Sequence, residues 1–328
     1  MSRSTNLPIV AIAIGDPAGI GPEVTVKALL DPSVYELCCP VVVGSSQVIK
    51  NTLSLLKKNI EIREIGATSD LDAASKTINV IDPEYFDFSD VVYGRDSITG
   101  GAASGVWLDY ACGLASEGDV DAVVMGPISS ESMRMASTLD SLPTEKESEP
   151  AYLFLRSGNL MIMHLNDHVD YVDVPARITF EKVRNGISLL KESLKKWGYP
   201  NPRIGVAGLN PHAKGKIEEE VLTPAIENAR EGGCAVVGPV SPDSVFRQCI
   251  DGDFDAVVAL YHDQGHIALK TWGFSGNSVV FLGPSYLITT VAHGVAYEIA
   301  GKGIADHTML RNSIINAGSL TTGKGFIS

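Results

Sequence analysis

Short apolar runs alternate along the chain with longer segments in which apolar residues recur at helical spacing. A short, continuously apolar run is typical of a strand buried on both faces of a sheet, and its alternation with helices is typical of βαβ units. The predicted strands are residues 8–14, 41–44, 77–81, 122–125, 160–163, 203–209, 235–237, 256–260 and 278–282. The predicted helices are residues 24–30, 46–58, 100–117, 178–197, 218–231, 241–250 and 293–300. The predicted fold class is therefore α/β.

Three segments show neither period. Residues 137–150 are polar throughout and predict an exposed loop, and residues 285–290 predict another. Residues 318–325, GSLTTGKG, resemble a phosphate-binding P-loop, but Gly325 stands where the Ser or Thr that binds magnesium is needed. A flexible tail is the better prediction for this segment, because the run of apolar residues that should precede a P-loop is also missing.

The size and charge of the chain narrow the classes of function. With 328 residues and 45% hydrophobic content, it can form one large α/β unit or two domains that share a cleft. Its formal net charge of −13 argues against nucleic acid or an anionic membrane as a partner. No apolar run approaches the roughly 20 residues that span a bilayer, and signal-peptide features are missing, so a soluble, cytoplasmic protein is expected. The five cysteines form no CxxC pair and predict buried, reduced thiols.

Reactive side chains follow one of the buried strands. After the apolar residues 256–260 come His262, Asp263, His266 and Lys270. Such strand ends face the ligand crevice in open α/β sheets. The histidines could bind a metal there, Asp263 could accept a proton and Lys270 could hold an anion. The alternative is a pair of solvated histidines in a polar turn.

A glycine-rich turn follows the first strand. Residues 15–23 read GDPAGIGPE, in which the glycines let a ligand approach the backbone and Glu23 complements the positive end of the following helix. The spacing differs from the dinucleotide fingerprint GxGxxG, and Glu23 would repel a phosphate. The turn either borders a functional cleft or is a simple tight turn.

Several segments together carry a family resemblance. They are GDPAGIGPE at 15–23, NPHA at 210–213, SPDSVF at 241–246, YHDQG at 261–265, HG at 293–294 and AGKGIAD at 300–306. In this order they resemble the PdxA family, named for the 4-hydroxythreonine-4-phosphate dehydrogenase of pyridoxal phosphate synthesis. The resemblance implies a two-domain α/β/α sandwich similar to isocitrate and isopropylmalate dehydrogenases, with the active site in the interdomain cleft at a homodimer interface. The implied domains are residues 1–127 with about 290–328, and about 128–289.

The resemblance also implies a metal centre. His168 taken alone would be an ordinary surface histidine, but family members place one metal-binding histidine before an Asp-Val-Pro segment, one in NPHA and one in HDQG. Here these are His168, His212 and His262, while His266 stands where many members carry an apolar residue. The implied cofactors are a divalent metal (Zn, Mn, Co or Mg) and NAD or NADP. The further implied site residues are Asn210, Asp243 and Gly265 for the cofactor, and Asp16, Thr144 and Ile288 for the substrate.

The implied ligand set suits the oxidation of an alcohol. Three neutral imidazoles leave the metal its double positive charge and open positions, so a bound secondary alcohol becomes more acidic and its hydride can pass to nicotinamide. Asp263 and Lys270 are both candidates for the base that takes the hydroxyl proton, and the sequence does not rank them. If the substrate is a β-hydroxy acid, its ketone product could lose carbon dioxide.

Several positions differ from family members that oxidise the phosphorylated substrate. Those members carry Gly-His-Thr-Glu where residues 142–145 read LPTE, and Asn-Lys where residues 129–130 read SS. Val279, Ile288 and Ala292 stand for a family Asn, Arg and Asp. Each lost charge-assisted hydrogen bond would cost a bound phosphate about 1.5–3 kcal/mol. Phosphorylated hydroxythreonine is therefore not expected to be the best substrate.

Three alternatives stay open at this point. The differences resemble family members that oxidise cis-dihydrodiols of aromatic carboxylates, such as terephthalate dihydrodiol dehydrogenase, which also reads HDQGHI after its strand. A phosphate acyltransferase-like enzyme on a related fold would need neither three histidines nor nicotinamide. A binding protein that has lost catalysis would keep the fold without the substrate contacts.

Overall fold

The computed structural model describes residues 7–72, 77–145, 151–273 and 277–327. The strands in these ranges are β1 (Ile9–Ala13), β2 (Cys39–Val43), β3 (Glu61–Glu64), β4 (Thr77–Ile81), β5 (Ala122–Met125), β6 (Tyr152–Ser157), β7 (Leu160–His164), β8 (Ile204–Ala207), β9 (Val236–Val240), β10 (Ala256–Ala259), β11 (Ser278–Leu282) and β12 (Leu287–Thr290). The α-helices are α1 (Gly21–Leu29), α2 (Ser46–Leu55), α3 (Ile98–Glu117), α4 (Ser130–Met135), α5 (Val174–Arg177), α6 (Phe180–Lys196), α7 (Thr223–Glu231), α8 (Val245–Ile250), α9 (His262–Trp272) and α10 (Thr308–Thr321). An α/β fold is therefore confirmed.

The chain forms two compact units. The first holds Met1–Pro150 and Pro284–Ser328, and the second holds Ala151–Gly283. The boundaries thus lie at residues 150 and 284, against 127 and about 290 in the division implied by the family resemblance.

The first unit is built on a parallel sheet. Its strands follow the order β3-β4-β2-β1-β5-β12, and each neighbouring pair is parallel. β1, β2 and β5 are buried along their whole length, which explains why they read as continuous apolar runs. Helix α3 begins where the Ser97 hydroxyl oxygen accepts a hydrogen bond from the Gly100 N–H (3.0 Å), and it ends at Gly118, whose φ of 80° is left-handed.

The second unit is built on a mixed sheet. Its strand order is β11-β6-β7-β10-β8-β9, with β6 antiparallel to both of its neighbours and the other pairs parallel. Helix α6 begins after Thr179, whose hydroxyl oxygen accepts a hydrogen bond from the Lys182 N–H (3.3 Å). Spacings of three and four residues place one apolar face of α6 in the core, formed by Val183, Ile187, Leu190 and Leu194.

Two predictions for the region after β11 are wrong. Residues 285–290, predicted as a loop, contain β12, which pairs with β5 in parallel. Two of its four residues are buried threonines, so the strand shows no continuous apolar run. Residues 293–300, predicted as a helix, have irregular backbone with one 3₁₀ turn at Tyr297–Ile299. Ala296 has a φ of 44°, which interrupts helical backbone at that point.

Two of the helices were not predicted because polar residues interrupt their apolar pattern. Residues 318–325, predicted as a flexible tail, include the end of α10. The buried surface of this helix includes small polar side chains, which break the apolar period: Asn312, Ser313, Asn316 and Ser319. Helix α9 begins with His-Asp-Gln, a sequence that reads equally well as a polar turn. Strands β3 and β6 were not predicted at all.

Three smaller expectations concern burial. Part of the loop predicted at residues 137–150 is buried, with Ser141 at 4% and Leu142 at 8% exposure, while residues 146–150 lie outside the described ranges. All five cysteines are buried, and none of them forms a disulfide bond, as predicted. Among the helices in the described part of the chain, none combines the length and the apolar character needed to cross a bilayer.

Candidate metal centre

Three neighbouring strands of the second unit bring the predicted metal ligands to one edge of its sheet. β7 and β10 are parallel, with His164 beside Ala259, and β10 and β8 are parallel, with Val258 beside Val206. Because parallel strands end at the same edge, the segments that follow them emerge side by side. These segments carry His168, His262 and His212.

Two of the predicted metal ligands, His168 and His262, lie close to Asp167. Ligand atoms of Asp167, His168 and His262 all lie within 4.8 Å of one another. The two imidazole rings are 5.2 Å apart between centroids, and His168 Nδ1 lies 3.5 Å from Asp167 Oδ2. His262 Nδ1 is 2.7 Å from Asp263 Oδ1, so a proton on Nδ1 leaves Nε2 as the nitrogen free to bind a metal.

The donor set of this cluster fits a divalent metal. Both carboxylate oxygens of Asp167 are buried and accept no hydrogen bond from the described part of the chain. Burial raises the pKa of Asp167, and the neighbouring His168 and His262 act in the opposite direction. A buried carboxylate without a partner is costly, and a cation beside it would supply that partner. Imidazole and carboxylate ligands together suit first-row divalent metals such as zinc.

His212 occupies a tight turn after β8. It is exposed and has a φ of 59°, and Ala213 follows with a φ of 51°, both in the left-handed region that side chains disfavour. Glu218 stabilises the segment that leads into this turn, because its Oε1 accepts hydrogen bonds from the Leu209 and Asn210 N–H groups (2.7 Å each). Burial would raise the pKa of Glu218, but these hydrogen bonds lower it below the ordinary value. His212 is not in the ligand cluster found among the described residues, so its metal-binding role stays a prediction.

Helix α9 carries both candidate proton acceptors. Lys270 is exposed and lies on the same helix face as His262 and His266, at successive spacings of four residues. Asp263 has a side chain that is 73% exposed, and its Oδ1 is engaged by His262. The structure thus gives Asp263 a partner that the sequence did not reveal.

The other implied site residues are distributed over the two units. Gly265 is buried in α9, Asp243 is exposed, and the Asn210 amide donates a hydrogen bond to Glu218 Oε2 (2.8 Å). In the first unit Thr144 is half-buried, and Ile288 is 1% exposed within β12. The roles of these residues toward cofactor and substrate stay predictions.

Asp16 belongs to a hydrogen-bonded network in the first unit. It is fully buried, and its oxygens accept from the Ala18 N–H (2.8 Å) and from the Tyr297 hydroxyl (3.0 Å). The same Tyr297 oxygen is 2.9 Å from Asp96 Oδ1, which also accepts from the Ser129 hydroxyl. Burial raises the pKa of Asp16, whereas the Ser129 hydrogen bond lowers that of Asp96. Asp16 is therefore the more readily protonated carboxyl of the two, and its role toward a substrate stays a prediction.

Sequence reasoning missed Asp167 and His164 in the second unit, and Asp96 and Tyr297 in the first, whereas it did single out His266. Asp167 directly precedes His168, and this adjacency was the signal that could have identified it. His164 ends a buried strand, and burial lowers its pKa well below the ordinary value, while burial and the nearby His262 lower the pKa of His266 to about 4. No local pattern connects Asp96 with Tyr297, because 201 residues separate them in sequence.

Comparison with known proteins agrees with the sequence motifs. The model of the family described as pyridoxal phosphate biosynthetic protein PdxA matches residues 36–317. A Novosphingobium aromaticivorans protein, provisionally named 4-hydroxythreonine-4-phosphate dehydrogenase, is 44% identical over 97% of this chain and 96% of its own. A Clostridium botulinum protein (strain Hall), provisionally named D-threonate 4-phosphate dehydrogenase, is 34% identical over 95% of this chain and 96% of its own.

Solved structures resemble the chain over nearly its whole length. The Klebsiella pneumoniae 4-hydroxythreonine-4-phosphate dehydrogenase has a TM-score of 0.86 at 32% identity, covering 96% of this chain and 99% of its own. The terephthalate 1,2-cis-dihydrodiol dehydrogenase of Burkholderia xenovorans LB400 has a TM-score of 0.68 at 28% identity, covering 98% and 99%. The EutD phosphotransacetylase of Staphylococcus aureus, with a TM-score of 0.50 at 14% identity over 95% and 94%, shares the fold alone. The chain belongs to the PdxA family and is a dehydrogenase of that family.

Proposed function

We propose that this chain is a divalent-metal-dependent NAD(P) dehydrogenase that oxidises a secondary alcohol of a hydroxy acid or vicinal diol. The observation that carries the proposal is the cluster of Asp167, His168 and His262, whose ligand atoms lie within 4.8 Å of one another in a chain of a dehydrogenase family. The family resemblance adds His212 as a further ligand and NAD or NADP as the hydride acceptor.

The residues around the centre have separable roles in this proposal. A bound divalent metal would supply Lewis acidity toward the substrate hydroxyl. Asp263 accepts the Nδ1 hydrogen of His262 and so orients the opposite ring nitrogen as a ligand. Because Asp263 is engaged in this way, we assign the acceptance of the hydroxyl proton to the uncharged amine form of Lys270, which lies on the same face of α9 and is exposed.

The substrate class rests on missing positive charge in the first unit. Ser129 and Ser130 stand where the family resemblance implies Asn-Lys, and the Ser129 hydroxyl donates to Asp96. Ile288 stands for an implied arginine and is buried in β12. A phosphate would lose charge-assisted hydrogen bonds of about 1.5–3 kcal/mol each. We therefore favour an unphosphorylated hydroxy acid or diol, with the cis-dihydrodiol of an aromatic carboxylate as the alternative; decarboxylation would follow for a β-hydroxy acid.

We also propose that the protein works in the cytoplasm as a homodimer, which only the family resemblance supports. Sedimentation of the purified full chain tests the assembly. A single monomeric species at micromolar concentration that still turns over substrate would contradict it.

A substrate panel tests the proposed activity. The purified protein is loaded in turn with zinc, manganese, cobalt or magnesium and given NAD or NADP with hydroxy acids, their phosphorylated forms and cis-diols, while absorbance of the reduced nicotinamide is followed. Phosphorylated compounds belong in the panel because both relatives named above carry names with phosphorylated substrates. We expect reduction with at least one unphosphorylated compound and its loss on chelation. Metal binding without any nicotinamide reduction would favour a binding protein instead, and a preference for a phosphorylated compound would contradict the substrate class alone.

A further inference from the structure

Three imidazole rings form a stack next to the proposed metal centre in the second unit. The rings of His262 and His266 are 3.8 Å apart between centroids, with 17° between their planes. The His164 ring lies 4.7 Å from that of His266 at 24°, and 5.8 Å from that of His262 at 38°. His266 is therefore stacked on both of the other rings, whereas His164 and the proposed ligand His262 are tilted relative to each other.

Two elements of secondary structure fix this group. His164 is the last residue of β7, and His262 and His266 lie four residues apart on one face of α9. The first turn of α9 packs directly on the strand residue, because a Cβ added to Gly265 would lie 2.2 Å from His164 Nε2. Glycine at this position is thus what lets the helix approach the ring.

Ordinary core packing does not account for imidazole in this stack. His164 is 1% exposed, and neither of its ring nitrogens forms a hydrogen bond with any residue that the structure describes; the same holds for His266 Nδ1. A buried polar atom without a hydrogen-bond partner is destabilising, so an aliphatic side chain would suit an ordinary core better. A flat ring is required at these positions if its face is the surface that contacts the neighbouring ring.

We propose that His266 is a positioning residue that holds the ring of His262 by stacking on it, and that His164 supports His266 by stacking in turn, so that His262 Nε2 is oriented toward the metal centre. Asp263 fixes the edge of that ring through Nδ1, and the stack fixes its plane. A ligand that is already oriented loses less conformational freedom when the metal binds, which raises metal affinity. The inference rests on the proposed function, because it takes His262 as a ligand.

Cobalt(II) titration of full-length variants without substrate tests the inference. The visible absorption of bound cobalt(II) reports both its affinity and the geometry of its ligands. His266→Ala removes the ring stacked on His262, and His266→Phe keeps a ring there without nitrogen atoms. Ile267→Ala is the matched control, since Ile267 is the next residue of α9 and is 67% exposed.

We expect His266→Ala to weaken cobalt(II) binding about tenfold and to alter the visible spectrum, as loss of a supporting contact does at other metal sites. His266→Phe should restore most of the affinity, and Ile267→Ala should match the wild type. Equal affinity of the wild type and His266→Ala would overturn the inference and leave the proposed function standing. Equal weakening by His266→Phe and His266→Ala would also overturn it, because the nitrogen rather than the ring would then matter. A wild-type protein that binds no cobalt(II) would contradict the metal centre itself.

Discussion

The substitution Gly265→Ala tests how closely helix α9 packs on His164. The new Cβ would lie 2.2 Å from His164 Nε2, 2.6 Å from its Cδ2 and 2.9 Å from a methyl group of Ile162. Non-bonded atoms do not approach this closely, so either helix α9 or the His164 ring must move. The His164 ring is 1% exposed and enclosed by its neighbours, which leaves little room for a small adjustment.

Two effects of opposite sign determine the magnitude. Overpacking a close-packed site costs about 1–3 kcal/mol. Replacing glycine by alanine inside a helix stabilises it by about 0.5–1 kcal/mol. Backbone strain adds nothing, since Gly265 is not among the glycines with positive φ. We therefore expect the free energy of unfolding to fall by about 0.5–2 kcal/mol.

The double variant with His164→Ala separates these two effects. Without the ring, the new Cβ at position 265 keeps the 2.9 Å approach to the Ile162 methyl group, which can shift into the space that the ring leaves. Gly265→Ala should then be neutral or stabilise the protein by up to about 1 kcal/mol. Urea unfolding of the wild type, both single variants and the double variant, followed by circular dichroism, gives the coupling free energy, which we expect to be about 1–3 kcal/mol. The same effect of Gly265→Ala in both backgrounds would refute the packing of α9 on His164.

Further predictions concern the turn after β8 and the proton-handling residues. Glu218→Gln should lower the free energy of unfolding by about 1.5–3 kcal/mol at pH 7. Hydrogen bonds lower the pKa of Glu218 in the folded protein, so their stabilising effect is lost when the carboxylate becomes protonated. The difference in stability between the wild type and Glu218→Gln should therefore disappear as the pH falls below 4.5, the ordinary pKa of a glutamate, and through the lower pKa of the folded state. Urea unfolding at several pH values measures this. Asp263→Asn should weaken cobalt(II) binding about tenfold. Lys270→Ala should instead lower kcat and leave the metal affinity unchanged. If Asp263→Asn lowered only kcat and Lys270→Ala weakened metal binding, Asp263 would be the proton acceptor and Lys270 the residue that supports the metal. His212→Ala should abolish metal retention while the protein stays folded. Elemental analysis that finds the same amount of metal per chain as in the wild type would contradict the assignment of His212 as a ligand.

Several strands of both units could be predicted because burial on both faces leaves a continuous apolar run. Residues 256–260 and 122–125 show this clearly, and β10 and β5 lie within them. β12 escaped prediction because two of its four residues are buried threonines, and α10 escaped it because its buried surface carries serine and asparagine. Pattern reasoning reads side-chain polarity, and it fails where a buried surface is polar.

The candidate site could be predicted only in part, for a related reason. The motifs that contain His168 and His262 were recognisable as short segments, and the structure brings those two side chains together. The place of Asp167 in the cluster depends on the pairing of β7 with β10, which sets His164 beside Ala259. That register is a long-range property of the sheet, and no neighbouring residue reveals it.

In the proposed metal centre, the identity of the third ligand would determine how strongly the metal acidifies a bound alcohol. If His212 joins His168 and His262, three neutral imidazoles leave the metal with its double positive charge, whereas Asp167 in the same position would neutralise half of it. The geometry favours each residue in a different way. Asp167 already lies beside the two histidines, and its carboxylate accepts no hydrogen bond from the described residues. His212 has left-handed backbone in a turn that Glu218 stabilises. A carboxylate would bind the metal more tightly but lower its acidity toward the substrate, so an alcohol dehydrogenase gains more from the imidazole. Asp167 then serves best beside the ligands, where its charge offsets that of the metal without occupying a coordination position.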